Sequence, residues 1–286
     1  MDVLDLTEMP IEQFEAKIKY AATPEEHSAN VKAAVALGLP SLDRGPITSE
    51  PIAVVCYGPS LKQTRREIRY FNKILTCSGA HDYLIRYGII PTWHMEGDPR
   101  KHKAVFVKHP HKRVTYLISS ACHPAMFEAL KGQKVLVWHV LKSDLDLLET
   151  GHYPKGQWVL TGGTNVGMRA MVMARLLGYT NIHVFGMDCS AGSTMHVDNH
   201  PNEVPEDKYR TVVVDGEEFR TTTLFLSYAK NFFHEVLQLA DCEVRLHGHG
   251  LLQALVKKKT SDPLQLTDWL EQRANIAETV IAVVET

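Results

Sequence analysis

Seven short runs in this chain, at 52–57, 74–77, 90–95, 113–118, 134–139, 157–160 and 181–186, are dominated by apolar residues instead of alternating apolar with polar. Between them stand segments with helical spacing, at 61–73, 80–87, 123–131, 142–149 and 164–177. A strand with one wet face alternates, whereas a strand covered on both faces does not, and the helices that cross over between parallel strands supply that cover. The succession of strand and helix therefore predicts an α/β fold, a mostly parallel sheet with helices on both faces.

The pattern occupies 51–255, which is expected to form one domain. Residues 1–50 read as a helical extension and linker: 11–37 carry helical spacing that breaks near "ATPEEHS", where Thr23 and Pro24 suit a cap and a first helical position. Residues 256–286 read as a helical tail. Within it 263–284 is amphipathic, with Trp269 and Leu270 available to pack back or to meet a second copy, so a homo-oligomer is one expectation. After the seventh run, 187–207 is polar and long for a connection, a length that in compact domains usually means function or disorder. "RTVVVDGEEFRTT" follows as a hairpin with an Asp-Gly turn, then a helix over 222–239 and a last strand over 242–247.

With 286 residues, 44% of them hydrophobic, the chain can bury a sizeable core, and a net charge of −2 gives no global case for nucleic acid or an anionic membrane. No run approaches the ~20 apolar residues of a spanning helix. The acidic start "MDVLDLTEMPIEQFE" lacks the basic and apolar regions of a signal peptide. Five scattered cysteines, with no CxxC or HExxH pair, suit buried thiols in a reducing cytoplasm better than disulfides or structural zinc. The expected location is cytoplasmic.

Ligands of an open parallel sheet bind beyond the carboxyl ends of its strands. Four polar clusters fall there. In "AVVCYGPSLKQTRREI" a strand turns into a helix through Gly58, Pro59 and Ser60, with Ser60 where an N-cap belongs; such a turn aims helical N–H groups at an anion, or serves as an ordinary capped connection. "HMEGDPR" brings Glu96, Asp98 and Arg100. "TGGTNVGMRA" places Gly162, Gly163, Thr164 and Asn165 between strand and helix, an arrangement that suits a phosphate or nucleoside and equally lets the helix pack closely on its strand. It has neither the lysine and spacing of a P-loop nor GxGxxG. "FGMDCSAGSTMH" ends a strand with Asp188 and carries His196 into the long loop.

Asp98 and Asp188 could each hold Mg²⁺ through carboxylate oxygens or cap the next segment. No organic cofactor is expected. His196 and His200 lie on the long loop, where an imidazole near its ordinary pKa can accept a proton from a hydroxyl, while His139 and His183 read as strand residues. His247 and His249, in "RLHGHGLL", mark another strand end and rank second, as do Glu96 and His200.

In order along the chain, "GPSL", "SGAHDYLIRYGIIPTWHMEGDPR", "TGGTNVGMRAMVMARLLGYTNIHVFGMD" and "HGHGLL" resemble the MptE-like proteins, the family of archaeal 6-hydroxymethyl-dihydropterin diphosphokinase with related bacterial motility accessory factors and phage-encoded members. The unit from Gly162 to Asp188 is also similar to one in the bacterial sialyltransferases that use CMP-sialic acid. The resemblance covers roughly 52–250. It implies a modified Rossmann-type domain holding a nucleotide or nucleotide-sugar donor. On matching positions Gly58 and Ser60 would approach the donor phosphates, Gly163, Thr164 and Asn165 the nucleotide, and Asp188 the acceptor or metal edge. Where the sialyltransferases have Asn before Gly-Pro-Ser-Leu this chain has Tyr57, so that nucleotide contact is lost or replaced.

The reading that follows is a transferase acting from a nucleotide-activated donor onto a small-molecule or glycan hydroxyl, leaning to glycosyl transfer with His196 as base. Diphosphate transfer from ATP with Mg²⁺ is the alternative within that class. Outside it stands a nucleotide- or sugar-binding or assembly module that has lost the chemistry.

Overall fold

A computed structural model describes residues 3–7, 9–15, 21–140, 153–160, 163–198, 200, 204–261 and 281–283. Its strands are β1 (Val3–Asp5), β2 (Thr48–Val55), β3 (Lys73–Cys77), β4 (Trp93–Glu96), β5 (Thr115–Ser119), β6 (Lys134–Val140), β7 (Trp158–Leu160), β8 (Tyr179–Phe185), β9 (Tyr209–Val214), β10 (Glu217–Thr222), β11 (Glu243–His247) and β12 (Ile281–Val283). Nine of them form one sheet in the order β11-β8-β2-β3-β4-β5-β6-β7-β12. Every neighbouring pair in it is parallel except β7 with β12. From β2 the chain winds one way as far as β7, then returns to lay β8 on the other side of β2. The winding therefore reverses between β2 and β8, which makes their carboxyl ends the place for a ligand.

Side chains one residue apart on a strand leave the sheet on opposite faces, and both faces are covered. In β2, Ile52 and Val54 pack in a cluster with Met168, Met171 and Val172 of helix Val166–Leu176. Ala53 and Val55 pack with Leu61, Ile68, Tyr83 and Leu84 on the other face. Leu117 of β5 joins the first cluster, while Tyr116 and Ile118 meet Met126 and Phe127 of helix Pro124–Ala129. These strands are buried from both sides, which is why their sequences lack alternation. Among the described residues no helix is long and apolar enough to cross a membrane.

Local signals set several boundaries. The Thr23 side chain accepts from the Glu26 N–H and Glu26 returns the bond to Thr23, a capping box that starts helix Pro24–Ala36 with Pro24 at its first position. The 209–222 hairpin turns at Asp215 (φ 50°) and Gly216 (φ 80°), the two positive φ values a type I′ turn requires. It belongs to a separate sheet, β1-β9-β10, in which β1 pairs parallel with β9. That use of Val3–Asp5 as a strand corrects the helical reading of the first residues.

Two further expectations change. The helix expected over 61–73 is a short α-helix, Leu61–Thr64, followed by a 3-10 turn, Glu67–Tyr70. Lys62, Arg65, Arg66 and Arg69 would stack like charges three and four residues apart with only Glu67 to offset them, and such pairs weaken a helix. Ile281–Val283, expected in the helical tail, forms β12 against Trp158–Leu160, as its β-branched Ile281 and Val283 favour. The expected helix 142–149 and the rest of 263–284, except residues 281–283, lie outside the described residues.

Thr23→Ala removes the reciprocal cap and is expected to lower unfolding free energy by about 1 kcal/mol. Leu117→Ala, at a site with no exposed surface, is expected to cost about 2–5 kcal/mol. Urea unfolding of the two variants checks both values and their ranking.

Candidate functional site

The turn after β2 and the turn after β8 interlock. The Gly58 N–H donates to the Gly186 carbonyl at 2.8 Å. A Cβ at Gly58 would stand 2.5 Å from that carbonyl oxygen and 2.6 Å from Asp188 Oδ2, closer than any side chain allows. Gly186 itself has φ +66° and packs on the Cys56 carbonyl. Asp188 is 2% exposed. Its Oδ2 accepts the Ser60 N–H at 2.7 Å and its Oδ1 accepts the Ser60 hydroxyl. Burial raises the Asp188 carboxyl to about 6 against the lowering effect of those two bonds. Ser60 is thus no N-cap: its backbone is already helical and its hydroxyl serves Asp188, which is the anion at this helix start.

The same strand ends carry a cleft of about 620 Å³, lined among others by Gly58, Glu96, Asp98, Gly163, Thr164, Asn165, Asp188, His196 and His200. Asn165 is the N-cap of helix Val166–Leu176, its side chain accepting the Met168 N–H at 2.9 Å. Gly163 has φ +70°, and a Cβ there would meet Arg169. Ser78 (φ 52°) and Cys189 (φ 54°) are non-glycine residues held left-handed at the ends of β3 and β8, and both also line the cleft. Strain of this kind, of order 1–3 kcal/mol each, gathers at functional sites.

Charge in the cleft is uneven. Arg100, Lys103 and Arg169 reach it. Asp98 pairs with Arg100, and Lys103 stands 3.6 Å away. Burial raises the Asp98 carboxyl, but the Arg100 hydrogen bonds and the Lys103 charge outweigh it and hold the group below its ordinary value. Glu96 accepts the Gly97 and Asp98 N–H groups at Oε1, while its Oε2 has no hydrogen-bond partner among the described residues. Burial lifts the Glu96 carboxyl to about 7 and that of Glu235, also in the cleft wall, above its ordinary value. Burial thus works against ionisation of three of the four acids, with Asp98 the exception.

His196 comes over the cleft on a loop pinned at several points. The Val197 N–H donates to the Tyr57 carbonyl, the Ala191 N–H to the Arg220 carbonyl, and Asp198 pairs with Arg86. The His196 ring stacks on His200 with centroids 3.9 Å apart and faces Tyr57 at 5.7 Å. Burial, with His200 and Lys103 adding to it, pushes its pKa down to about 3, so the ring is neutral near neutral pH. Tyr57 is the hub of this packing: its ring abuts Gly79 and lies edge-on to Tyr83 and Phe106.

The cleft therefore gathers Gly58, Gly163, Thr164, Asn165, Asp98, Asp188, His196, Glu96 and His200. Ser60 stands behind Asp188, and Gly162 lies outside the described residues. His249 is elsewhere, exposed and paired with Glu217 at 2.9 Å. Among the described residues no group of three or more His, Cys, Asp or Glu side chains is placed to hold a metal ion. With Asp98 paired to Arg100 and both Asp188 oxygens bonded to Ser60, these carboxylates would supply only part of a Mg²⁺ coordination shell. Lys103, Arg169, Tyr228 and Glu235 are lining residues that the sequence reading missed. Arg169 alone carried a signal, as the cation one turn into the helix that follows "TGGTN".

A family model described as 6-hydroxymethylpterin diphosphokinase MptE-like matches residues 26–194, more than half of the chain. No curated protein sequence matches. Among solved structures the chain is similar to a MAf glycosyltransferase from Magnetospirillum magneticum AMB-1, with a TM-score of 0.60 at 13% identity. The match covers 94% of this chain and 44% of that one, so this chain spans less than half of its neighbour. At that identity the likeness shows a shared fold.

Asp188 ties stability to pH. Its folded value of about 6 lies above the ordinary 3.8, so its burial is least costly when it is protonated. Stability from this group is full below about pH 4 and is lost as pH rises through 6. Asp188→Asn is expected to lack that dependence, a difference of roughly 3 kcal/mol between the two pH limits. Urea midpoints of wild type and variant at pH 4.5 and 7.5 capture roughly 2 kcal/mol of it, the wild type weakening relative to the variant at the higher pH.

Proposed function

The chain belongs to the 6-hydroxymethylpterin diphosphokinase MptE-like family, and from that premise we propose a transferase that binds a nucleotide-activated donor in this cleft and passes the activated group to a hydroxyl acceptor. One observation carries the reading. At the winding reversal between β2 and β8, two glycine turns and the start of an eleven-residue helix border one cleft with Arg100, Lys103 and Arg169. N–H groups at a helix start and fixed cations of this kind neutralise a diphosphate and stabilise it further as it leaves.

Glycosyl transfer is the leading reaction. The acceptor oxygen forms its bond to the sugar carbon, the bond from that carbon to the donor phosphate breaks, and the nucleotide departs with the electron pair. The acceptor proton passes to His196. A neutral imidazole with a pKa of about 3 is a weak base, and the negative charge of a bound donor raises its basicity where it is needed. The lysine and arginines supply charge neutralisation from side chains already in place. Diphosphate transfer from ATP is the second reading, favoured by the description of the family. There Asp98 or Asp188 would help hold Mg²⁺, which would supply charge neutralisation at the donor.

A thermal-shift panel of nucleotides and nucleotide sugars, with and without chelator, tests the proposal, because ligands of the folded state alone raise its melting temperature. Stabilisation by a CMP, UDP or GDP sugar, unchanged by chelator, supports glycosyl transfer; magnesium-dependent stabilisation by ATP supports diphosphate transfer. A flat panel, with no donor turnover, sinks the transferase reading. With the stabilising donor, His196→Ala is expected to keep binding and lose turnover by roughly 10²–10⁴-fold, and Arg169→Ala to lose the thermal shift.

A further inference from the structure

We propose that Cys56 and Cys77 form a redox-active dithiol in the wall of the cleft, closed to a disulfide by hydroperoxides and reopened by thiol reductants. The two sulfurs are 3.7 Å apart, the Cys77 thiol donating to the Cys56 sulfur. They stand on neighbouring parallel strands, one residue beyond the paired Val55 and Thr76, and so lie opposite each other in register. Both border the cleft, which gives a small oxidant a way in.

The surroundings make the pair unequal. Helix Val166–Leu176 begins against Cys56: a Cβ at Gly167 would lie 2.8 Å from the Cys56 sulfur, so the first turn of an eleven-residue helix faces that atom. Cys77 keeps its proton, held well above the ordinary value by its bond to Cys56 and by burial. Cys56 is 7% exposed against 1% for Cys77, so the oxidant reaches it first: Cys56 is the nucleophile and Cys77 the resolving thiol.

The steps balance. Cys56 attacks one peroxide oxygen, the O–O bond breaks, and Cys56 becomes a sulfenic acid while the other oxygen takes up the thiol proton and leaves as water or an alcohol. Cys77 then attacks that sulfur, and the sulfenic oxygen departs with two protons as water. Closure brings sulfurs now 3.7 Å apart to about 2 Å. None of this depends on the reaction proposed for the cleft.

The test is thiol titration of the full chain after hydrogen peroxide, with the linked peptides mapped by mass spectrometry. The five thiols are expected to fall by two, with the Cys56 and Cys77 peptides joined and both thiols restored by dithiothreitol. Cys77→Ser is expected to stop at a sulfenic acid on Cys56 that a cyclic dione traps, and Cys56→Ser to yield neither adduct nor disulfide. Persistence of all five thiols, oxidation beyond recovery, or linkage through another cysteine overturns the proposal. Should a serine variant fail to fold, the native wild type is titrated with phenylarsine oxide, which needs two adjacent thiols. Uptake of one arsenical with loss of both thiols supports the pair, and no uptake overturns it.

Discussion

Asp188 is a carboxylate with almost no contact with solvent, gripped by the N–H and hydroxyl of Ser60, a residue 128 positions earlier. A charge taken out of water survives only where other dipoles replace its hydration, and here two distant segments, 58–60 and 248–252, close in around it. Gly58 approaches one oxygen, and Gly250 leaves no room for a Cβ beside the Asp188 side chain. Gly248 lies so close to the Ser60 hydroxyl that a Cβ would come within 2.4 Å of it. The Leu252 N–H then bonds the Asp188 carbonyl and the Leu251 N–H the Ser190 hydroxyl, fixing where helix Leu251–Ser261 begins. The turn after β2, the turn after β8 and this last helix thus share one anchor.

The electrostatics of the cleft follow from that anchoring. Because Ser60 is engaged, the positive end of its short helix faces Asp188, and the N-terminus of helix Val166–Leu176 is left as the longer dipole aimed at the cleft. Depth then sorts the acids. Asp98 keeps its charge through Arg100, while Glu96 and Asp188 are lifted by burial to about 7 and 6. A ligand bearing phosphates would meet cations already in position and acids that repel it less than their number suggests.

Much of this was legible in the chain itself. Runs such as Ile52 to Val55 are apolar at every position because helices cover both sheet faces, and Asp215-Gly216 names its own turn. The four polar clusters met at one edge because parallel strands put every carboxyl end there. Other features depend on partners far away in sequence. Nothing near Ser60 shows that its hydroxyl is drawn to Asp188, and nothing near Val3 shows a strand, since its partner is Thr211. Lys103 and Tyr228 reach the cleft only through packing, and His249, placed by a motif at a strand end, turns outward to Glu217.

The small sheet β1-β9-β10 shares no strand with the large one. It holds the segment over the cleft through the Ala191–Arg220 bridge and the Thr221 hydroxyl on the Cys189 carbonyl. Floor and roof therefore have separate scaffolds, one made of parallel strands and the other of a hairpin with a borrowed strand. In such a building the roof can be refitted over generations, changing what enters, while the foundations stay as they were.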